Sequence, residues 1–232
     1  QTVAEHSFSK GKKVNQETIF GVSSLSKWVT AIGIMTLVEQ ERLDLDKPVS
    51  FYLTQWQLPP SNFDNDGVTI RRLLSHTAGI TDGLGHNGFA TRAEIQPLTE
   101  HLTKALDADV GIEGRVIVGL QPGSKFKYSG GSYNLLQLVV EEITGVSFES
   151  FMSDAVFKPL AMNNTTYRHD EVKELAQYFD KDGNTKPYPF YTSLAATGLY
   201  TTASDLHKLV NMHLPEQLKP VNSSAILSNQ SL

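Results

Sequence analysis

Between Leu25 and Val38 the chain sets Leu25, Trp28, Val29, Ala31, Ile32, Ile34, Met35, Leu37 and Val38 on nearly every face of a helix. Such a helix belongs inside a fold rather than on its surface. It nevertheless opens with Ser24-Leu25-Ser26-Lys27, a hydroxyl and an amine one helical turn apart. Burying an ammonium is costly unless it is paired, so Lys27 needs an explanation. A serine beside an amine in a poorly hydrated place is the local chemistry of an acyl-transferring serine enzyme.

Spacing alone does not single out this pair. The same S-x-x-K pattern occurs at Ser7/Lys10, Ser9/Lys12 and Ser124/Lys127. The first two lie in a polar stretch with no helical apolar period, and the third follows Pro122-Gly123 as a turn does. Only Ser24 opens a long apolar run.

At 232 residues and 40% hydrophobic content the chain is long enough to bury about 70% of its unfolded surface. A net charge of −5, with scattered lysines and arginines, argues against nucleic acid as a partner. No apolar stretch approaches the roughly 20 residues of a membrane span, and no charged segment followed by an apolar one marks a signal peptide, so any export signal is expected to have been removed. The absence of cysteine rules out disulfides, thiolate metal sites and cysteine nucleophiles.

Along the chain, residues 1–20 read as extended or irregular, and the first helix as running from Ser24 to Glu41. Pro48 blocks its continuation. A loop over 57–68 leads to a short helix over Ile70–Ser75 closed near Gly79, and Gly83, Gly85 and Gly88 mark a connection. Arg92–Leu106 has mixed helical character, and Arg115–Leu120 alternates as a short strand does. A second strong helix is predicted over Ser132–Thr144, with Gly145 as its left-handed cap, and a third over Phe148–Phe157. Tyr178–Tyr191 has the pattern of a hairpin, and Thr202-Ala-Ser-Asp205 that of a capping box opening a last helix to Leu214.

Other catalytic templates fail. Gly21-Val-Ser23 and Gly130-Gly-Ser132 lack the second glycine of a nucleophile elbow. The seven histidines form no H-E-x-x-H pair and read as surface or hydrogen-bonded residues, so no metal is expected. Asp180-Lys-Asp-Gly-Asn184 lacks the spacing of a calcium loop. Asp44 and Asp46 read as turn residues, and Trp56, Tyr188, Tyr191 and Tyr200 as core before pocket.

Thr18-Ile-Phe-Gly-Val-Ser-Ser24-Leu-Ser-Lys27, then Leu43-Asp-Leu-Asp-Lys-Pro48, then Leu73-Leu-Ser-His76-Thr-Ala-Gly79 resemble the serine β-lactamase and penicillin-binding-protein superfamily on its class C side. Tyr128-Ser-Gly-Gly-Ser-Tyr133, Pro159-Leu-Ala-Met162 and Gly198-Leu-Tyr-Thr-Thr-Ala-Ser-Asp205 extend the similarity, which runs from about residue 16 to 214. It implies an α/β (α+β) fold of the β-lactamase/transpeptidase type, with the helical part largely present and the antiparallel sheet largely missing. A single domain over residues 1–232, incomplete at both ends, is expected.

The resemblance implies that Ser24 is the nucleophile, that Lys27 takes its proton, and that Tyr128 moves a proton to the leaving group. It also implies that the helix start beneath Ser24 offers a backbone N–H to the oxyanion. Gly130 stands at the substrate-binding position where the family has asparagine, which removes an amide that would contact Lys27 and the substrate. This favours an ester or a D-amino-acid amide or peptide over a β-lactam. The family's third motif, a lysine or histidine with a small residue and glycine, is not recognisable after Leu214. Missing segments or another chain are therefore expected to complete the sheet. The other reading is a non-catalytic binding or scaffolding member of the fold. No cofactor is implied, the partner is a small molecule or peptide, and a periplasmic or secreted location follows from the bacterial type of the family.

Overall fold

The structure is a computed structural model that describes residues 13–82, 86–214 and 226–228. The stretches before Thr18 and after Leu214, from which sheet strands and a third motif are expected to be missing, lie largely outside these residues. The first element is β1 (Phe20–Gly21), followed at once by α1 (Leu25–Glu39). Ile32, Ile34 and Leu37 of α1 are at most 3% exposed, so the helix is central as its composition requires. It is not covered on every face, because Trp28, Ala31, Met35 and Val38 form a half-buried stripe and Leu25 is exposed.

Beyond α1, Asp44 accepts from the Asp46 amide as an Asx turn does, while the Asp46 carboxylate pairs with Arg71 at 2.8 Å. The helix α2 (Ile70–Leu74) follows, capped by Thr69. Its exit loop returns through Gly79 at φ +76°, where a Cβ would strike the Leu120 carbonyl. The mixed Arg92–Leu106 segment resolves into one 3-10 turn and α3 (Leu98–Thr103), with Pro97 standing at the helix N-cap.

Arg115–Leu120 does not form the expected strand. It makes a single bridge, Ile80 to Val118, through the Thr81 N–H on the Ile117 carbonyl and the Gly119 N–H on the Gly79 carbonyl, and beyond it the Val116 N–H donates to Leu102 of α3 instead of to a strand. Alternation there reflects Val116 and Val118 pointing into the core without a neighbouring strand.

Helix α4 (Gly130–Thr144) starts two residues earlier than its apolar period suggests, since the Ser129 hydroxyl accepts from the Ser132 amide and caps it. Gly145 closes it in the left-handed conformation at φ +73°. The predicted third helix is α5 (Phe148–Met152) running into a π-helical turn over Ser153–Phe157. The hairpin is real but short: β2 (Tyr178–Phe179) pairs antiparallel with β3 (Thr185–Lys186), and the Asp180 carboxylate holds the turn by accepting from the amides of Asp182 and Asn184.

The one-turn helix α6 (Leu194–Thr197) fixes the site. A single turn cannot satisfy its own ends. Its Ala195 carbonyl is met by the Thr30 hydroxyl of α1 at 3.0 Å, and Gln137 of α4 binds both the Thr192 carbonyl and the Ala195 amide. The segment is thus clamped between α1 and α4, the two longest helices among the described residues. It continues into β4 (Tyr200–Thr201), which pairs antiparallel with β1.

The last helix, α7 (Ala203–Met212), begins with half a capping box. Thr202 accepts from the Asp205 amide, but the Asp205 carboxylate turns away to the Asn164 amide and the Thr165 hydroxyl, tying the helix to the preceding loop. The architecture is helical with four two-residue strands in the described residues, an α+β fold dominated by its helical part. No helix among these residues is long and apolar enough to cross a membrane.

Candidate active site

Ser24 is exposed at the start of α1, and its side chain makes no helix cap. It is therefore free for other partners. Lys27 lies one turn further on and is 7% exposed. Its Nζ donates to Ser24 Oγ at 3.2 Å and to the Ala196 carbonyl of α6 at 2.7 Å. A buried ammonium needs such acceptors, and the clamped α6 segment supplies one from 169 residues away.

Tyr128 reaches the same oxygen from the loop before α4, its hydroxyl donating to Ser24 Oγ at 2.8 Å. Lys27 Nζ lies 5.0 Å from the centre of its ring. Burial pushes the Tyr128 hydroxyl up, but hydrogen bonds from Lys27 and Ser24 to the phenolate, together with the Lys27 charge, outweigh it and hold the group below its ordinary value. The three residues named from sequence converge on one oxygen. Gly130, the fourth, lies in the first turn of α4 and is buried.

Sequence reasoning missed the residue that holds Tyr128 in place. The His76 carbonyl accepts from the Lys127 amide at 2.7 Å and its Nδ1 from the Ser129 amide at 3.2 Å, so His76 grips the backbone on both sides of Tyr128. Its ring also lies 4.5 Å from the Tyr128 ring. This geometry needs φ +56°, a left-handed conformation uncommon for a residue with a side chain. Ser23, immediately before Ser24, adopts another at φ +45°. Non-glycine backbone of this kind persists only where surrounding contacts hold it, and here it flanks the site on both sides.

Burial, helped by the Lys27 charge, lowers His76 from its ordinary 6.5 to about 4. The folded state therefore stays neutral there while the unfolded chain takes up a proton between pH 6.5 and 4. Stability is intact above that window and falls as pH drops through it, by at most about 3 kcal/mol from this group. Replacing His76 with Asn keeps an acceptor and tolerates positive φ while removing the titration. Denaturation at pH 7 and pH 4.5 should show a loss in the parent protein that is smaller by about 2 kcal/mol in His76→Asn.

A second polar cluster lies behind Gly130. The His101 imidazole and the Asp107 carboxylate are fully buried and 2.7 Å apart. Burial works to raise Asp107, but the hydrogen bond and charge of His101 outweigh it and hold the carboxyl below its usual range. His86, His101 and Asp107 place three possible ligand atoms within 4.8 Å of one another, a grouping the sequence spacing did not reveal. His101 is engaged with Asp107 and His86 Nδ1 with the Ser193 hydroxyl, while His86 Nε2 is buried without a partner. The set suits a hydrogen-bonded network better than a cation.

Tyr191 and Tyr200 line a cavity of about 270 Å³ that Ser24, Lys27 and Tyr128 do not border. Tyr200 is also core, at 2% exposure, and Trp56 is half-buried with its indole N–H on the Thr103 hydroxyl at 3.0 Å.

Known proteins resemble this chain over most of its length. Protein flp of Staphylococcus aureus (strain MW2) is 26% identical over 228 residues, covering 96% of this chain and 43% of its own length. The octameric penicillin-binding protein homologue from Pyrococcus abyssi superposes with a TM-score of 0.70 at 28% identity, over 94% of this chain and 48% of that one. A penicillin-binding protein from Bacillus halodurans gives 0.68 at 27% identity, over 94% and 63%. The chain thus spans about half the length of the Staphylococcus aureus relative and of the Pyrococcus abyssi homologue. Residues 1–230 match the Beta-lactamase family, so a chain whose serine, lysine and tyrosine meet at one oxygen belongs to that family.

Proposed function

We propose that this protein is a serine hydrolase that forms an acyl-enzyme on Ser24. The observation that carries the reading is the Ser24 oxygen, exposed yet held by both Tyr128 and Lys27. In the forward step the Ser24 oxygen attacks a carbonyl carbon while its proton passes to the Tyr128 oxygen in its phenolate form, which the hydrogen bond and charge of Lys27 favour by holding the phenol below its ordinary value. Lys27 stays bound to the Ala196 carbonyl and compensates the negative charge shared by the two oxygens. Tyr128 then returns the proton to the leaving group, and water attacks the acyl-enzyme by the same route in reverse. Tyr128 is thus given the proton-accepting part that the family resemblance gives to Lys27.

The substrate proposed is an ester or a D-amino-acid amide or peptide. Position 130 carries no side chain, so no amide reaches the substrate from that residue, and a β-lactam loses more from this than a simple ester does. Turnover of p-nitrophenyl butyrate and of nitrocefin checks the order. Ester hydrolysis is expected to exceed nitrocefin hydrolysis in kcat/KM by at least about tenfold, a difference of about 1.4 kcal/mol in transition-state binding. Faster nitrocefin turnover would reverse the assignment.

A further inference from the structure

Helix α4 is apolar through its middle, where Leu136 and Leu138 are at most 2% exposed, yet between them stands Gln137 at 3%. A buried amide is tolerated only with partners for both its oxygen and its nitrogen. Gln137 finds them on one short segment: its Nε2 donates to the Thr192 carbonyl at 3.1 Å, and its Oε1 accepts from the Ala195 amide at 3.1 Å. Turning the amide over would set donor against donor and oxygen against oxygen, so its orientation is fixed. The Ala195 N–H depends on it, because α6 is one turn long and offers that N–H no main-chain acceptor among the described residues.

The place of Lys27 depends on that grip. Ala195 is held at its amide by Gln137 of α4 and at its carbonyl by the Thr30 hydroxyl of α1 at 3.0 Å. The next carbonyl, Ala196, accepts from Lys27 Nζ at 2.7 Å, closer than the 3.2 Å to Ser24 Oγ. The ammonium is therefore placed more by Ala196 than by the serine beside it. Thr30, and Ser26 whose hydroxyl accepts from the Leu199 amide at 3.0 Å, tie this segment to the helix that carries Lys27 itself. Gln137 ties its main chain to α4, which begins two residues after Tyr128. Asn134 of α4 meets the Ser193 hydroxyl at 3.0 Å rather than the main chain.

We propose that Gln137 is a positioning residue for acyl transfer: by holding the Thr192 carbonyl and the Ala195 amide it fixes the Ala196 carbonyl, and through that carbonyl it keeps Lys27 Nζ in place between Ser24 and Tyr128. This deepens the acyl-transfer reading and rests on it. Lys27 and Tyr128 reach one oxygen from α1 and from the start of α4, and the Gln137 amide keeps the two in register.

Gln137→Met keeps the length of the side chain in its apolar surroundings and removes both bonds. The limiting rate of Ser24 acylation by p-nitrophenyl butyrate is expected to fall by about tenfold, within the range for misplacing a reacting group by a fraction of an ångström. The half-saturating concentration should hold, since a side chain buried between α4 and α6 does not meet the substrate. The acidic limb of the rate should move upward: burial is the largest influence on Tyr128 and raises it, and the bond and charge of Lys27 oppose it less once Nζ is displaced. His76, Asp82 and Tyr133, the other titratable groups about Tyr128, make no bond to Gln137.

A side chain that matters only for folding acts whatever stands at position 27, whereas one that acts through Lys27 loses its effect when Lys27 is gone. In Lys27→Met the same replacement is expected to change the rate by less than about twofold and to leave the limb unmoved. Equal losses in the two backgrounds, or no loss in the parent protein, overturn the proposal while leaving acyl transfer standing. If Gln137→Met does not fold, Gln137→Asn, a methylene too short to span Thr192 and Ala195 together, takes its place with the same outcomes. A parent protein that p-nitrophenyl butyrate does not acylate sinks the acyl-transfer reading and this proposal with it.

Discussion

Replacing Tyr128 with phenylalanine is expected to slow acylation of Ser24 by about 10²–10⁴-fold, the range for removing a positioned general base. The ring contact with His76 survives this change, so packing is preserved and the loss isolates the hydroxyl. The sign of the pH dependence follows from the role. Tyr128 must be deprotonated to accept the serine proton, so the acylation rate falls as pH drops through its pKa, which lies below the ordinary phenol value of 10. Tyr128→Phe should abolish that limb as well as the rate. Stopped-flow acylation with p-nitrophenyl butyrate from pH 5 to 10 measures both. A variant that keeps the limb would assign the proton to another group.

Lys27→Met is expected to cost acylation about 10²–10³-fold, comparable to deleting one charged donor at a developing oxyanion. It should also move the acidic limb upward. Burial is the largest influence on Tyr128 and raises it, and the hydrogen bond and charge of Lys27 are two of the influences that oppose it. With those gone the phenol titrates at higher pH than in the parent protein. The effect on folding is of mixed sign. Removing a buried ion relieves desolvation, while the Ala196 carbonyl, which accepts from Lys27 at 2.7 Å, is left unpaired at about 1–3 kcal/mol. An active Lys27→Met enzyme with an unmoved limb would contradict the role given to Lys27.

What the sequence made legible was what is local or periodic. The apolar run after Ser24 predicted α1 and its central place, and the run after Ser132 predicted most of α4 with Gly145 as its cap. Ser24, Lys27 and Tyr128 were found because helix spacing joins the first two and family motifs supply the third. Contacts between distant residues were not legible. Nothing in the neighbourhood of His76 says that its ring and carbonyl bracket Tyr128 52 positions later. Gly130 read as a missing asparagine, and only the fold shows that His86 fills the space. Arg115–Leu120 misled because alternation reports which side chains are buried, whereas a strand also needs a partner along its length. The Asp205 of the expected capping box fell short for a similar reason: the Asn164 amide and the Thr165 hydroxyl compete for its carboxylate.

The central claim is that Ser24 is acylated, and intact-mass analysis of the protein after treatment with a fluorophosphonate tests it most directly. A single adduct that maps to Ser24 and is absent from Ser24→Ala is the predicted result. A folded protein that gains no adduct, or one whose adduct persists in Ser24→Ala, would contradict the account.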